Sequence, residues 1–420
     1  MPLQRIAVEN YRCFRDRQEM EILPVTVVFG RNNAGKSALV RSPLIFASGL
    51  TAESSAPIDI DALVDLGLDV TDDFTDLIFE HSPHGNIGIS LTVDGERPFD
   101  LDVTLQYIDE AREAVVSSLI LDDGHSQLRL HWEQSLFQPG TPESYQIFVD
   151  GALVETRLVE FHGLLPTPES IPRLRTWLAQ ERSVGPVRYL SSYREPVARV
   201  HRLPMGQPKP IRGYGQGVSS LLAHDRVRGK GEVLARVNAI LGEIVEGWQL
   251  DEVENGSFFE TVLRRRPDDP FTVNLADAGT GVAQMLPILV QCALDQINGS
   301  GGALQVIEEP EMHLHPKAHA ALADLYLKTA AETGTRFLIE THSETLLLRL
   351  RRRIAEGACA PEMVGVYVVE QDDGDAVVRR VHIDELGNLA DEWPEGYFSQ
   401  DYQEVRAIAA AQIRRSGDAA

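Results

Sequence analysis

The chain has 420 residues, 43% of them hydrophobic and 24% charged, enough to bury a sizeable core of two or three domains. Its formal net charge of −24 argues against a surface that coats nucleic acid, because tracking phosphates needs a basic excess. Cys13, Cys292 and Cys359 are scattered with no CxxC pair, so neither a disulfide scaffold nor a zinc site is expected, and a reducing cytoplasm is. The opening MPLQRIAVENYRCFRD has no continuous apolar stretch of the signal-peptide kind. The longest apolar runs, such as VAQMLPILVQCAL, fall short of the roughly 20 residues a membrane span requires.

In chain order, RIAVENY and PVTVVFG read as strands, and GKSALVRSPLIFASGL as a helix that Pro43 should kink after Ser42. From about residue 87, apolar and polar residues alternate in IGISLTV, FDLDVTLQYI, SSLILDD, SQLRLHWE and SYQIFVD. The pairs Asp94-Gly95, Asp123-Gly124 and Asp150-Gly151 supply hairpin turns between some of them. RLRTWLAQE and GEVLARVNAILGEIV carry helical periodicity, with the Gly- and Pro-rich loop MGQPKPIRGYGQG between them. From 271 onward helices and strands alternate: GVAQMLPILVQCALDQI, ALQVIEE, PKAHAALADLYLKTAAETG, RFLIETH, SETLLLRLRRRIAEG and VGVYVVEQ. That alternation implies a largely parallel sheet. The expected organisation is an α/β core formed by 1–86 and 271–420, with 87–270 as an insertion, β-rich and then helical, projecting from it.

The stretch VVFGRNNAGKSALV fits G-x-x-x-x-G-K-[ST] between a strand and a helix. Gly30, Arg31, Asn32, Asn33, Ala34, Gly35, Lys36, Ser37 and Ala38 are therefore candidates to cradle a nucleotide's phosphates, with backbone N–H groups and a helix N-terminus supplying positive field. Lys36 would reach the β- and γ-phosphates and Ser37 would ligate Mg²⁺. In ALQVIEEPEMHLHP a buried strand ends in two acids. Glu308 is assigned to the Mg²⁺ side, and Glu309, facing the other way, to activating a water. RFLIETHSE places His342 at a strand end, where an imidazole can bond to the γ-phosphate and sense its loss. In NLADAGTGVAQMLP, Gly279, Thr280 and Gly281 stand just before a strong helix and offer a second phosphate site. A second copy of the chain would give that site a use. The histidines of EMHLHPKAH and the basic run RLRRR at 349–353 could suggest a metal site and a DNA contact. His315-Pro316 reads instead as the start of a helix and the basic run as a solvated helix face, and these readings outweigh the other two. Arg188 and Arg194 are open between a charge role near the nucleotide, a DNA contact and structural ion pairs.

In order and spacing these motifs resemble the P-loop NTPase heads of ABC type found in the SMC, RecF and OLD group. The opening RIAVENYRCFRD…VTVVFGRNNAGKS, the segment EEPEMHLHP and the tail VHIDELGNLADEWPEGYFSQD are similar to those of small prokaryotic AAA-labelled ATPases in that group. VRYLSSYREPVARVH resembles their Tyr-Leu-x-x-x-Arg-x-x-Pro pattern. Two departures are that Glu308 stands where many ABC proteins have Asp, and that the signature turn lacks the usual Ser. The resemblance implies ATP and Mg²⁺ as cofactors and hydrolysis of ATP. It also implies a head-to-tail homodimer, or higher oligomer, with the Gly279–Gly281 turn of one subunit on the γ-phosphate held by the other. Relatives act in DNA repair or, as in Septu, beside a nuclease in anti-phage defence. Too few residues follow His342 for the OLD nuclease domain, and no paired DxD occurs there, so the nuclease is expected to be a separate effector. The alternatives are a repair-type DNA-binding ATPase and an ATP-stabilised scaffold with little turnover. No heptad run suggests the long coiled coil of a DNA clamp.

Overall fold

The computed structural model describes residues 3–393, apart from 52–54, 69–70, 72, 96, 134–141, 181–183, 257, 266–268, 300–301, 373 and 391–392. Residues 391–392 and 394–401 of the C-terminal tail quoted above therefore lie outside the described residues.

The chain begins with a hairpin, β1 (Leu3–Glu9) and β2 (Gln18–Glu21), followed by β3 (Val25–Gly30), helix α1 (Lys36–Thr51) and the short α2 (Ile60–Asp65). Strands β4 (Asn86–Val93), β5 (Phe99–Ile108), β6 (Glu113–Asp122), β7 (Gln127–Trp132), β8 (Glu143–Val149) and β9 (Ala152–Val159) form a meander. Next come β10 (Phe161–His162), β11 (Leu165–Pro166), α3 (Arg175–Leu178), β12 (Val187–Leu190), β13 (His201–Arg202), α4 (Val218–Arg228) and α5 (Glu232–Ile244). Strands β14 (Gln249–Asn255), β15 (Phe258–Arg264) and β16 (Thr272–Asn274) precede α6 (Thr280–Asn298), β17 (Leu304–Glu308), α7 (Pro316–Thr333), β18 (Arg336–Glu340), α8 (Glu344–Ala355), β19 (Val364–Asp372) and β20 (Asp375–Val381).

The central sheet has the order β12-β17-β18-β3-β19-β20. Every pairing in it is parallel except the antiparallel β19–β20 edge. The fold is thus α/β with a mixed, largely parallel sheet. Its middle strands β3 and β17 are buried along their whole length and β18 from Phe337 to Glu340, as strands covered on both faces must be. Alternation along β3 divides the core in two. Val28 faces a cluster with Leu39, Val40 and Phe46 of α1 and the inner face of the large sheet. Val25, Val27 and Phe29 face a second cluster built on α5, α6, α7 and α8. No helix of the described residues is long and apolar enough to cross a membrane.

The segments with period-2 alternation are strands, and the Asp150-Gly151 turn has both residues in the left-handed region (φ 50° and 81°), as a two-residue hairpin demands. Sequence predicts that the meander projects from the core, but it is joined to it. β4 pairs with β1, so β1–β2 and β4–β9 form one eight-stranded antiparallel sheet that shares a core with α1 and the central sheet. Three further expectations change. RLRTWLAQE yields only a 3₁₀ turn and the four-residue α3. The small sheet of β13 to β16 was hidden because an acid, Glu252, occupies an inward position of β14, where it accepts a hydrogen bond from Thr261 Oγ1 (2.8 Å) and faces His201 (3.2 Å).

Third, α1 runs through Pro43 without interruption. Proline has no N–H for the carbonyl four residues earlier, that of Leu39. The fully buried Ser42 hydroxyl donates to it instead, at 2.7 Å. Ser42→Ala should therefore strand a buried carbonyl and destabilise the protein by about 1–3 kcal/mol. Ser42→Ala with Pro43→Ala restores a backbone donor and should recover most of that loss. Melting temperatures of the three proteins decide it; equal melting of the single and double variants would refute the compensation.

Candidate active site at the ends of the parallel strands

β3, β17 and β18 end side by side, and β3 runs into the loop 31–35 and then α1. Crevices at the carboxyl ends of parallel strands are where ligands bind in such sheets. The loop is pre-shaped. Asn33 has φ 67° and Gly35 φ 106°, the left-handed region that asparagine tolerates and glycine favours. A side chain on Gly35 would also meet Cys13 Sγ at 2.4 Å, because the β1–β2 connection backs the loop. Arg31, Asn32 and Asn33 are exposed at its crest, Ala34 is buried, and Ser37 and Ala38 are half-buried at the start of α1.

Lys36 is only 4% exposed. It folds back so that Nζ donates to the Arg31 carbonyl (2.9 Å) and lies 3.7 Å from a Glu340 oxygen. Burial lowers its pKa against the opposing pull of Glu340.

The two acids of the Glu308-Glu309 pair part company, not through strand alternation but because β17 ends at Glu308. Glu308 is held by Arg41 of α1 through two bonds, Nε to Oε1 at 2.5 Å and Nη2 to Oε2 at 2.8 Å. Glu309 leaves the strand with φ 42° and its N–H donates to the Glu340 carbonyl at 2.8 Å. Its carboxylate groups with Glu340 and His342, with one potential ligand atom from each lying within 4.8 Å of the others. Glu340 lies near Ser37, whose side chain lowers its carboxyl pKa. Sequence places Glu308 on the Mg²⁺ side; the acid that ends the strand next to β3 is Glu340 of β18, in register with Val28, while Glu308 of β17 pairs with Arg41.

Glu340 is buried, and its Oε2 has no partner. Burial, reinforced by the charge of Glu308, pushes its carboxyl up to about 7, against Ser37 and Lys36. Burial and the Lys36 charge lower the His342 pKa, which favours the neutral ring. Its backbone N–H donates to Glu311 Oε1 (2.7 Å), which also accepts from Thr341 Oγ1 (2.8 Å). This set of hydroxyl and carboxylate oxygens, with one buried oxygen unpaired, fits a hard divalent cation such as Mg²⁺.

The Gly279–Gly281 turn caps α6 at an exposed surface. Nothing lies within 4 Å of a side chain added at Gly279, whereas one at Gly281 would come 2.9 Å from the His313 carbonyl. The histidines of EMHLHPKAH do not converge. His315 accepts from Lys317 N–H at the start of α7 (3.2 Å), and His319 meets Ser343 Oγ (2.9 Å) and the Leu314 carbonyl (3.1 Å). In RLRRR, Arg349 and Arg353 bind Asp324, Arg352 binds Glu356 and Arg351 binds the Gly387 carbonyl. Arg188 pairs with Asp295 (2.5 Å). Sequence reasoning passed over Glu340 and Arg41. Glu340 ends the strand that carries His342, and Arg41 lies one helical turn after Ser37, a spacing that puts both on one face of α1.

Residues 1–92 and 231–347 match a family model described as AAA ATPase domain. Residues 359–408 match a protein family of unknown function, DUF3696. The chain therefore carries an AAA-type, ATP-binding ATPase domain. No curated protein matches the sequence. Among solved structures the chain is similar to an Smc head bound to the C-winged helix domain of ScpA, at 12% identity and a TM-score of 0.47, covering 92% of this chain and 99% of that one. It is similar to the SMC head domain from Thermotoga maritima, at 12% identity and 0.41, covering 91% and 100%. A third is an Smc head with an extended coiled coil bound to the C-terminal domain of ScpA derived from Pyrococcus furiosus, at 10% and 0.46, covering 91% and 96%.

Two predictions follow from this geometry. Lys36→Ala should weaken ATP binding at least about 100-fold, or about 2.7 kcal/mol, in calorimetric titration with Mg²⁺. The fold should survive, because Glu340, deprived of its cation, can neutralise itself by taking a proton. Unchanged affinity would remove Lys36 from the site. The second concerns Glu340. Its carboxyl binds a proton more tightly in the folded chain than in the unfolded one, so this group costs stability as pH rises from the ordinary glutamate range to about 7. Glu340→Gln should then raise stability without nucleotide or metal by roughly 1–3 kcal/mol near pH 8, and by much less near pH 5. A gain independent of pH would contradict it.

Proposed function

We propose that the protein hydrolyses ATP to ADP and phosphate, closes into a homodimer around ATP, and uses that closure in the cytoplasm to control a separate effector, a nuclease in anti-phage defence. The observation that carries the reading is the convergence of Lys36, Ser37, Glu309, Glu340 and His342 at the ends of β3, β17 and β18. The AAA ATPase match supports the ATPase part. The resemblance to Septu-type ATPases supports the effector and defence part.

In this reading the amides of 31–37 and the Lys36 ammonium hold the β- and γ-phosphates. Ser37 and Glu340 hold Mg²⁺, which when bound neutralises phosphate charge, and Glu308 stands behind them with its charge met by Arg41. Glu309 takes the proton of the attacking water. His342, with its pKa lowered, hydrogen-bonds the γ-phosphate. The α6 N-terminus, with Gly279, Thr280 and Gly281, is presented to the phosphate of a second copy. Ion pairing of the 349–353 arginines counts against the DNA-binding alternative.

Glu309→Gln should bind ATP yet accumulate as an ATP-bound dimer, with phosphate release reduced about 100-fold or more, while Lys36→Ala stays monomeric. Gly281 is a poor probe of the trans contact, since any side chain there strikes the His313 carbonyl. Thr280→Glu is cleaner: an acid in the first turn suits the helix dipole but repels a partner's phosphate. It should abolish ATP-driven dimerisation and leave ATP binding by the monomer intact. Light scattering with and without ATP, beside phosphate release, reads all three. Wild-type turnover by Glu309→Gln would remove the base; ATP-driven dimerisation by Thr280→Glu would remove the trans contact.

A further inference from the structure

Arg194 is the largest of the fully buried side chains, 1% exposed. A guanidinium carries its charge under all ordinary conditions, so burying one demands partners. Arg194 has few. Nη2 donates to the Glu308 carbonyl at 3.0 Å, while Nε and Nη1 are buried with none. Its surroundings are equally incomplete. Glu311 Oε2 and the Tyr326 hydroxyl are both buried and unpaired, and both groups interact electrostatically with the Arg194 charge.

The one side-chain bond Arg194 makes falls on the peptide between Glu308 and Glu309, where the chain takes the left-handed turn (φ 42°) that sends the Glu309 carboxylate toward Glu340 and His342. That turn is costly for a residue with a side chain, by about 1–3 kcal/mol, and persists only where its neighbours hold it. Behind Arg194, its own carbonyl accepts from Gln284 Nε2 at 3.0 Å. Gln284 lies in the first turns of α6, the helix that opens at Gly279–Gly281. A continuous set of bonds thus runs from the α6 N-terminus through Gln284 and Arg194 to the corner that aims Glu309.

We infer that Arg194 is a positioning residue that couples engagement of the α6 N-terminal turn to the aim of the Glu309 carboxylate. This inference rests on the reading of Glu309 as the base. Movement of α6 when a second subunit's phosphate docks on its N-terminus is transmitted through Gln284 to Arg194. The unpaired Nε and Nη1 then have an unpaired acceptor, Glu311 Oε2, to close upon, and Glu311 in turn holds the backbone N–H of His342. Hydrolysis is thereby tied to dimer closure, because an isolated subunit leaves Arg194 half-paired and the base corner loosely held.

Phosphate release, ATP titration and thermal melts of Arg194→Met, Arg194→Lys, Glu309→Gln and the Arg194→Met/Glu309→Gln pair test it. Arg194→Met should lower kcat roughly 10- to 100-fold, the scale at which outer orienting residues act, with KM for ATP changed by less than about threefold. Arg194→Lys, which keeps a donor for the Glu308 carbonyl, should recover part of kcat. In the Glu309→Gln background Arg194→Met should cause no further loss, since both act on one step. A purely structural arginine would instead lower the melting temperature and ATP affinity together and add its effect to that of Glu309→Gln. Should Arg194→Met fail to fold, Gln284→Leu decides: reduced kcat with retained ATP affinity supports the coupling, and unchanged kcat overturns it. An inactive Glu309→Gln beside a fully active Arg194→Met overturns the inference alone, whereas a Glu309→Gln that turns over at the wild-type rate overturns the reading beneath it.

Discussion

Glu308 and Glu340 are register partners on adjacent parallel strands, and Glu309 follows at the same edge. Carboxylates brought this close in a dry crevice cannot all stay ionised without cations among them. The chain supplies two from α1: Arg41, which takes Glu308 in a two-bond pair, and Lys36, which lies beside Glu340. The balance is incomplete, and the remainder shows as a Glu340 carboxyl pushed up to about 7 with an unpaired buried oxygen. That residual negative charge is what makes the site receptive to a divalent cation, and its placement depends on α1 following β3 directly, with its basic residues Lys36 and Arg41 in its first two turns.

The same constraint explains why the N-terminal hairpin belongs to the large sheet. Tyr11 and Phe14, in the β1–β2 connection, are fully buried in the cluster that also holds Val28 and Phe46. The Cys13 carbonyl accepts the Ala376 N–H from β20, while Cys13 Sγ fills the space beside Gly35. The loop 31–35 is therefore wedged between the β1–β2 connection and the sheet edge, which sets its backbone. Preorganisation of this kind lowers the cost of binding, because the loop need not be ordered at the same time.

Much of this was legible in one dimension. The loop 31–35 stands out because glycines, a lysine and a hydroxyl at fixed spacing between a strand and a helix are what a phosphate-binding loop needs. The meander was visible because its strands keep one face wet, and the later strands because their flanking helices interrupt short apolar runs. The small sheet was not visible, since Glu252 breaks the alternation where it turns inward to Thr261 and His201. The continuity of α1 past Pro43 was not visible either, because it depends on a local hydroxyl, Ser42, taking over a bond that pattern reading counts as lost.

Local sequence by itself determined that the loop 31–35 joins a strand to a helix and that Glu308 ends a buried strand, because both follow from chain connectivity and local pattern. Which acid stands beside the end of β3 was decided only in three dimensions. Strand order is a property of the packed sheet, and inserting β18 between β17 and β3 brings Glu340 beside Lys36 and leaves Glu308 to Arg41. The burial of Lys36 and Arg194 was likewise outside the reach of pattern, since a charged side chain goes inside only where partners from distant segments, Glu340 for one and the Glu308 carbonyl for the other, happen to wait for it.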